Sequence, residues 1–237
     1  VKNPSFPAPV SLLRDRLEST LPEEVQSADV VHVHWPHGLV GHDTLQKLSA
    51  TTRVVWTLHD MNAFTAACHY AINCQCYLDP QNPCQGVRPV FQGLASSNLA
   101  KKKHFASSTP GISFVSPSAW LAQEARRGVV LRGRDISVIP NPLPVSVPRA
   151  TAAEPLARAA SSGRGPVFVA SASELSDPLK NIQEVTSAFE HAFSRNTDAR
   201  LLLVGRGRVR FSHPGITAVG RLSQDNLWSV LSHADYL

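Results

Sequence analysis

The sequence predicts an α/β protein built on parallel sheets, and three observations lead there. Short runs rich in β-branched and aromatic residues, such as Val54-Val55-Trp56-Thr57-Leu58, are apolar throughout instead of alternating, as in strands covered on both faces. Segments with apolar residues at helical spacing stand between these runs. The alternation then occurs a second time, beyond a stretch rich in Pro, Ala, Ser and Gly, which predicts two units.

Taken in order, Ser11 to Ala28 reads as a helix, with Leu12, Leu13, Leu17, Leu21 and Val25 near helical spacing. Asp29 to Trp35 is a strand stopped by Pro36-His37-Gly38, and Asp43 to Leu48 a short helix. The strand Val54 to Leu58 ends on two polar residues, His59 and Asp60, and a long irregular segment follows. Val90 to Phe105 reads as a helix ending in a lysine cluster, which suits the helix C-terminus. The strand Ile112 to Val115 runs into Ser116-Pro117, read as an N-cap and first helical position, with an amphipathic helix to Arg127. Ile136 to Ile139 is the last strand of the first unit, assigned to residues 1–145.

Residues 146–165 read as a linker and 166–237 as a second, incomplete unit. In it Val167 to Ala170, Leu201 to Val204 and Ile216 to Val219 are strands. Asn181 to Phe193 is a helix, Ser223 caps another through Leu231, and Ala234 to Leu237 begins a further strand.

With 237 residues, 43% hydrophobic and 17% charged, the composition is that of a folded protein and excludes disordered or fibrous classes. No apolar run approaches the roughly 18–20 residues that cross a bilayer. The first residues show neither an initiator Met nor a signal-peptide pattern, so the start reads as cut or processed. Lys and Arg exceed Asp and Glu by five, clustered at Lys101-Lys102-Lys103-His104, Arg126-Arg127, and Arg132 with Arg134. Such clusters attract phosphates or anionic membrane surfaces when solvated. No zinc finger, helix-turn-helix or aromatic-interleaved basic motif points to nucleic acid.

Ligands of open α/β sheets sit beyond the carboxyl ends of the strands, which marks His59 and Asp60, and His34 at a neighbouring strand end. All four cysteines, Cys68, Cys74, Cys76 and Cys84, lie in the loop after them, with His69 and His104 as potential helpers. Four thiols so close can hold a structural zinc ion, stay reduced, or form disulfides, and the spacing leaves all three readings open. Gly205-Arg206-Gly207 lacks the third glycine of a dinucleotide fingerprint.

The series ADVVHVHW, VVWTLHDMNAFTAACHY, ISFVSPSAWLAQEARR and ISVIPNPL, then DPLKN, LLLVG, VGRLS and SHADYL, resembles retaining glycosyltransferases of family four. The likeness is greatest to the bacterial capsular and exopolysaccharide subgroup and covers Asp29 to Leu237. It implies a GT-B fold of two Rossmann-like domains, with the acceptor on the first and a UDP- or GDP-type sugar donor on the second. The acceptor would be a glycan or lipid-linked glycan, in the cytoplasm or peripheral to the inner membrane. No cofactor is required for the chemistry.

By the same resemblance Lys180 contacts the donor diphosphate, and Ser173, Asn181, Gly205, Gly220, Arg221 and Leu222 border the donor. His59 and Asp60 act near the transferred sugar, and His34 and Ser116 lie on the acceptor side. Ser171-Ala172-Ser173-Glu174 lacks the arginine that relatives carry before the lysine, so the phosphate clamp is expected to be built differently. The family's glycine-rich loop and paired glutamates are expected beyond the two ends of this sequence. The rival readings are a non-catalytic α/β module binding a glycan or a partner, and a nucleotide-dependent dehydrogenase.

Overall fold

The computed structural model describes residues 1–12, 21–142, 165–195 and 198–237. The chain divides into two compact units, Val1–Pro142 and Leu143–Leu237. Each is α/β with an all-parallel sheet, a Rossmann-like topology.

The first unit runs α1 (Glu23–Gln26), β1 (Val30–His34), α2 (His42–Thr51), β2 (Arg53–Thr57), α3 (Gln92–Ser108), β3 (Ile112–Ser116), α4 (Ala119–Arg127) and β4 (Ile136–Val138). Its sheet order is β1-β2-β3-β4, so the strand carrying the apolar run is internal. Val54 and Trp56 of β2 are buried, and Leu58 just beyond donates its N–H to the Val115 carbonyl at 2.7 Å. His34 and Thr57 are register partners, which brings the carboxyl ends of β1 and β2 side by side.

The second unit comprises β5 (Val167–Glu174), α5 (Ile182–Ala192), β6 (Arg200–Arg206), β7 (Ile216–Gly220) and α6 (Gln224–Leu231), in sheet order β5-β6-β7. Alternate residues of β6 serve opposite faces. Leu201 and Leu203 pack with Ile182 and Phe189, whereas Leu202 and Val204 pack with Val169 and Val230. Both faces of β6 are therefore covered, which is why its sequence is apolar without alternation. Ser223 caps α6 through the Asn226 N–H, as expected. Tyr236 forms a parallel bridge to Phe168, the first rung of another strand on the free edge of β5.

Three expectations need correcting. Among the described residues of the helix expected over Ser11–Ala28, only Glu23–Gln26 form a helical turn, α1, which starts after Pro22, because proline lacks the N–H and fits badly inside a helix. Residues 13–20 of that helix lie outside the described residues, as does almost all of the 146–165 linker. Second, α4 is capped by Ser118, whose hydroxyl accepts from the Leu121 N–H, and not by Ser116. A residue before proline is pushed toward extended backbone, so Ser116 completes β3 instead. Third, β5 extends to Glu174, which places Ser171 and Ser173 on the strand itself.

Most members of the basic clusters are exposed, Lys101, Lys103, His104 and Arg132 among them, but some are tied into the fold. Lys102 is fully buried. The Arg134 guanidinium donates to the carbonyls of Ala106, Thr109, Pro110 and Ile112 and lies 5.1 Å from the Phe114 ring centre. Arg126 donates to the Ile136 carbonyl, and Arg127 pairs with Glu124. Arg126 and Arg134 thus join elements of the first unit, whereas the Arg127 pair lies within α4.

Candidate functional site

Each unit has polar residues gathered at the carboxyl ends of its strands. In the first, β1 ends on His34, and β2 is followed by Leu58 and His59, both histidines being exposed. The His34 Nδ1 and His59 Nε2 atoms are 2.7 Å apart. His32, two residues earlier on β1, has its ring centre 4.0 Å from that of His34 and bonds the Thr57 hydroxyl at 2.8 Å. Its pKa lies below the ordinary histidine value, through burial first and then the neighbouring His34 and His59.

Asp60 turns away from His59. It is 6% exposed, its Oδ2 lies 2.7 Å from His69 Nδ1, and its Oδ1 accepts the Asn62 N–H at 2.8 Å. The other ring nitrogen of His69 bonds the Ser11 hydroxyl at 2.8 Å, and the ring stacks on Trp35. The order Ser11–His69–Asp60 is that of a nucleophile relay. Yet the void beside Asp60, lined also by Trp35, His37 and His59, is only about 10 Å³, the size of one water. The relay has a structural effect. It ties the N-terminal segment to the loop after β2, alongside the Ser11 N–H bond to the Ala67 carbonyl.

A buried lysine of α3 holds that loop. Lys102 Nζ donates to the Asn62 carbonyl, to Asn62 Oδ1 at 3.1 Å and to the Thr65 carbonyl at 2.9 Å. Burial lowers its pKa to about 7, against the opposing pull of Asp60. His37 sits at the same cluster with a buried, unpartnered Nδ1, and burial followed by His69 lowers its pKa to about 4. Ser116 is fully buried and donates its hydroxyl to the Ser118 carbonyl at 2.9 Å, which removes it from the ligand-facing surface.

The four cysteines are free, buried and mutually close. Cys68 and Cys84 sulfurs are 3.5 Å apart and those of Cys74 and Cys76 3.4 Å, and the Cys68, Cys74 and Cys84 sulfurs all lie within 4.8 Å of one another. Disulfide sulfurs would be about 2.05 Å apart. Cys68, Cys74 and Cys84 could hold a metal ion, and Cys76, expected as a fourth ligand, lies outside that group. His69, expected as a helper, is engaged by Asp60 and Ser11, and His104 is exposed.

In the second unit, a crevice of about 480 Å³ opens at the carboxyl ends of β5, β6 and β7. Ser171 and Ser173 come from β5, Lys180 from the turn after it, Gly205 and Arg206 from the end of β6, and Arg221, Leu222 and Leu227 from β7 onward. Five of the seven donor-side residues expected from the sequence thus share one cavity wall: Ser173, Lys180, Gly205, Arg221 and Leu222. Asn181 instead lines a neighbouring crevice with Asp177 and Gln183. It adopts φ 51° there, between the turn at Pro178–Lys180 and α5. Gly220 precedes Arg221 with φ 77°.

Arg206 was not among the expected residues, although a charged residue directly after the LLLVG run signals a strand end. Lys180, Arg206 and Arg221 are all exposed, and among the described residues no carboxylate lies within ion-pair distance of any of them. Gly205 makes the wall possible. At φ 153°, a Cβ there would lie 2.0 Å from the Ala172 carbonyl oxygen, so only glycine lets β6 pass this close to β5.

Among the described residues no helix is long and apolar enough to cross a membrane. Compared with protein-family models and with curated proteins, the chain matches neither.

Proposed function

We propose that the protein is a retaining glycosyltransferase that moves a sugar from a nucleoside-diphosphate donor to a glycan or lipid-linked acceptor. The observation that carries this reading is the crevice at the ends of β5, β6 and β7, where three cations, Lys180, Arg206 and Arg221, line one cavity with no carboxylate partner among the described residues. Converging cations without counter-ions favour a polyanion, and the volume suits a nucleotide. The resemblance of the ordered motifs to family-four transferases agrees with that choice.

In this reading the second unit takes the donor and the first the acceptor. As the bond between the sugar and the diphosphate breaks, negative charge grows on the leaving oxygens, and Lys180 stabilises it. The leaving diphosphate takes the acceptor proton on the face from which it departs, so the configuration is retained without a protein nucleophile. His59, exposed at the end of β2, hydrogen-bonds the sugar or steadies positive charge at its anomeric carbon.

We assign structural zinc to Cys68, Cys74, Cys76 and Cys84. Zinc–sulfur bonds of about 2.3 Å in a tetrahedron separate the sulfurs by roughly 3.8 Å, near the 3.4 and 3.5 Å found. Bound there, the ion would order the loop and take no part in sugar transfer.

Calorimetry with UDP, GDP and their sugars tests the donor site. At least one diphosphate should bind, and Lys180→Ala should weaken it about 10-fold or more. Unchanged affinity in that variant would remove Lys180 from the site.

A further inference from the structure

This inference rests on the reading of the β5–β6–β7 crevice as a nucleotide-sugar site and concerns how that site recognises its ligand. A diphosphate at a strand end calls for more than one positive charge, and the segment before Lys180, Ser171 to Glu174, offers none. The structure brings a cation from the adjacent strand. Arg206 is the last residue of β6, which lies next to β5, and its side chain lines the same cavity as Lys180. Its main chain is held in place, because the Arg206 carbonyl accepts the Leu175 N–H at 2.6 Å.

The acidic residue nearest along the ladder does not neutralise it. Glu174 is the register partner of Arg206, but its Oε1 accepts from the Ser176 hydroxyl at 2.9 Å and packs against Gly207, where a Cβ would fall 1.7 Å from that oxygen. Gly207, at φ 86°, thus makes room for the carboxylate beside the backbone, and Arg206 lines the cavity with no counter-ion among the described residues. Arg221 differs in place. It follows β7, a further strand from Lys180, and stands with Leu222 and Leu227 on the side suited to a ribose or base.

We propose that Arg206 supplies the second positive charge opposite Lys180, so that the crevice selects a nucleoside diphosphate over the monophosphate. A guanidinium presents a planar fork of donors to phosphate oxygens, which gives directional recognition that a lone ammonium lacks.

Calorimetry on the whole chain with UMP, UDP, GMP and GDP tests the assignment. The wild type should bind one diphosphate about 10-fold or more tighter than its monophosphate. Arg206→Gln should weaken that diphosphate about 10- to 100-fold while moving the monophosphate by no more than about 3-fold, and Arg206→Lys should recover part of the loss. Arg221→Gln should change both nucleotides by similar factors. Circular dichroism and the melting temperature of each variant confirm that the crevice is still folded. Unchanged diphosphate binding in Arg206→Gln, or an equal loss for both nucleotides, overturns the assignment and leaves the donor reading intact. A wild-type chain that binds none of the four overturns the donor reading itself.

Discussion

His34 Nδ1 and His59 Nε2, 2.7 Å apart at the ends of neighbouring parallel strands, form an imidazole–imidazole hydrogen bond. One of the two nitrogens carries the proton and the other is bare. His34 therefore fixes the ring orientation of His59.

If His59 acts on the transferred sugar, His59→Ala should lower kcat by about 100-fold. His34→Ala should cost about 10-fold, because it removes the partner and not the acting group. A double variant no worse than His59→Ala alone would establish that the two act as a unit. Additive losses would separate them.

The cysteine cluster predicts a metal dependence of stability rather than of chemistry. Purified protein should contain about one zinc per chain by atomic absorption. Cys84→Ser should lower the stability of the first unit by more than about 3 kcal/mol in urea titrations. The fold tightens around these residues: the Gln92 side chain accepts the Cys84 N–H and donates to the Cys84 carbonyl, each at 2.9 Å. A metal-free protein with an unchanged melting temperature would exclude the zinc assignment.

Strand ends were legible in the sequence because buried parallel strands are short unbroken apolar runs, and the polar residues that follow them, His34, His59 and Arg221 at the ends and Lys180 in the turn after β5, mark the sites. Partners were not legible, because the His34–His59 and Asp60–His69 bonds depend on how strands and loop are arranged in space. Lys102 lies between. Read with Lys101 and Lys103 it is one of a charged run, but it falls three residues after Leu99 and three before Phe105, on the face of α3 that also buries Ala95 and Asn98. Helical spacing was a signal for its burial that composition hid.

Burial of that lysine makes stability depend on pH. Its pKa in the folded protein is about 7, below the roughly 10.4 of an exposed lysine. Between those values the unfolded chain binds more protons than the folded one, so this group's contribution to stability rises with pH and falls again as pH drops toward 7. Lys102→Met removes that contribution and leaves the Asn62 and Thr65 carbonyls without their donor. It should destabilise the protein by about 2–4 kcal/mol at neutral pH, and the deficit should widen between pH 7 and pH 10. A deficit that is flat across this range would show that the ammonium keeps its ordinary pKa.

Two glycines at the mouth of the crevice separate backbone strain from contact. At Gly220, φ is 77° and nothing lies within 4 Å of a built Cβ, so Gly220→Ala carries only the left-handed penalty of about 1–2 kcal/mol. At Gly205 the same substitution sets a methyl 2.0 Å from the Ala172 carbonyl oxygen and 3.1 Å from the Leu175 side chain. The obstacle is backbone, which cannot swing aside as a side chain can, so β5 and β6 must part at the wall that holds Ser173 and Arg206. Gly205→Ala should therefore cost the second unit roughly 3 kcal/mol or more and weaken diphosphate binding along with stability, whereas Gly220→Ala leaves binding within about 3-fold. Denaturant unfolding read beside calorimetry checks both, and equal effects at the two positions would mean that β5 and β6 do not approach as closely as the Gly205 contact requires.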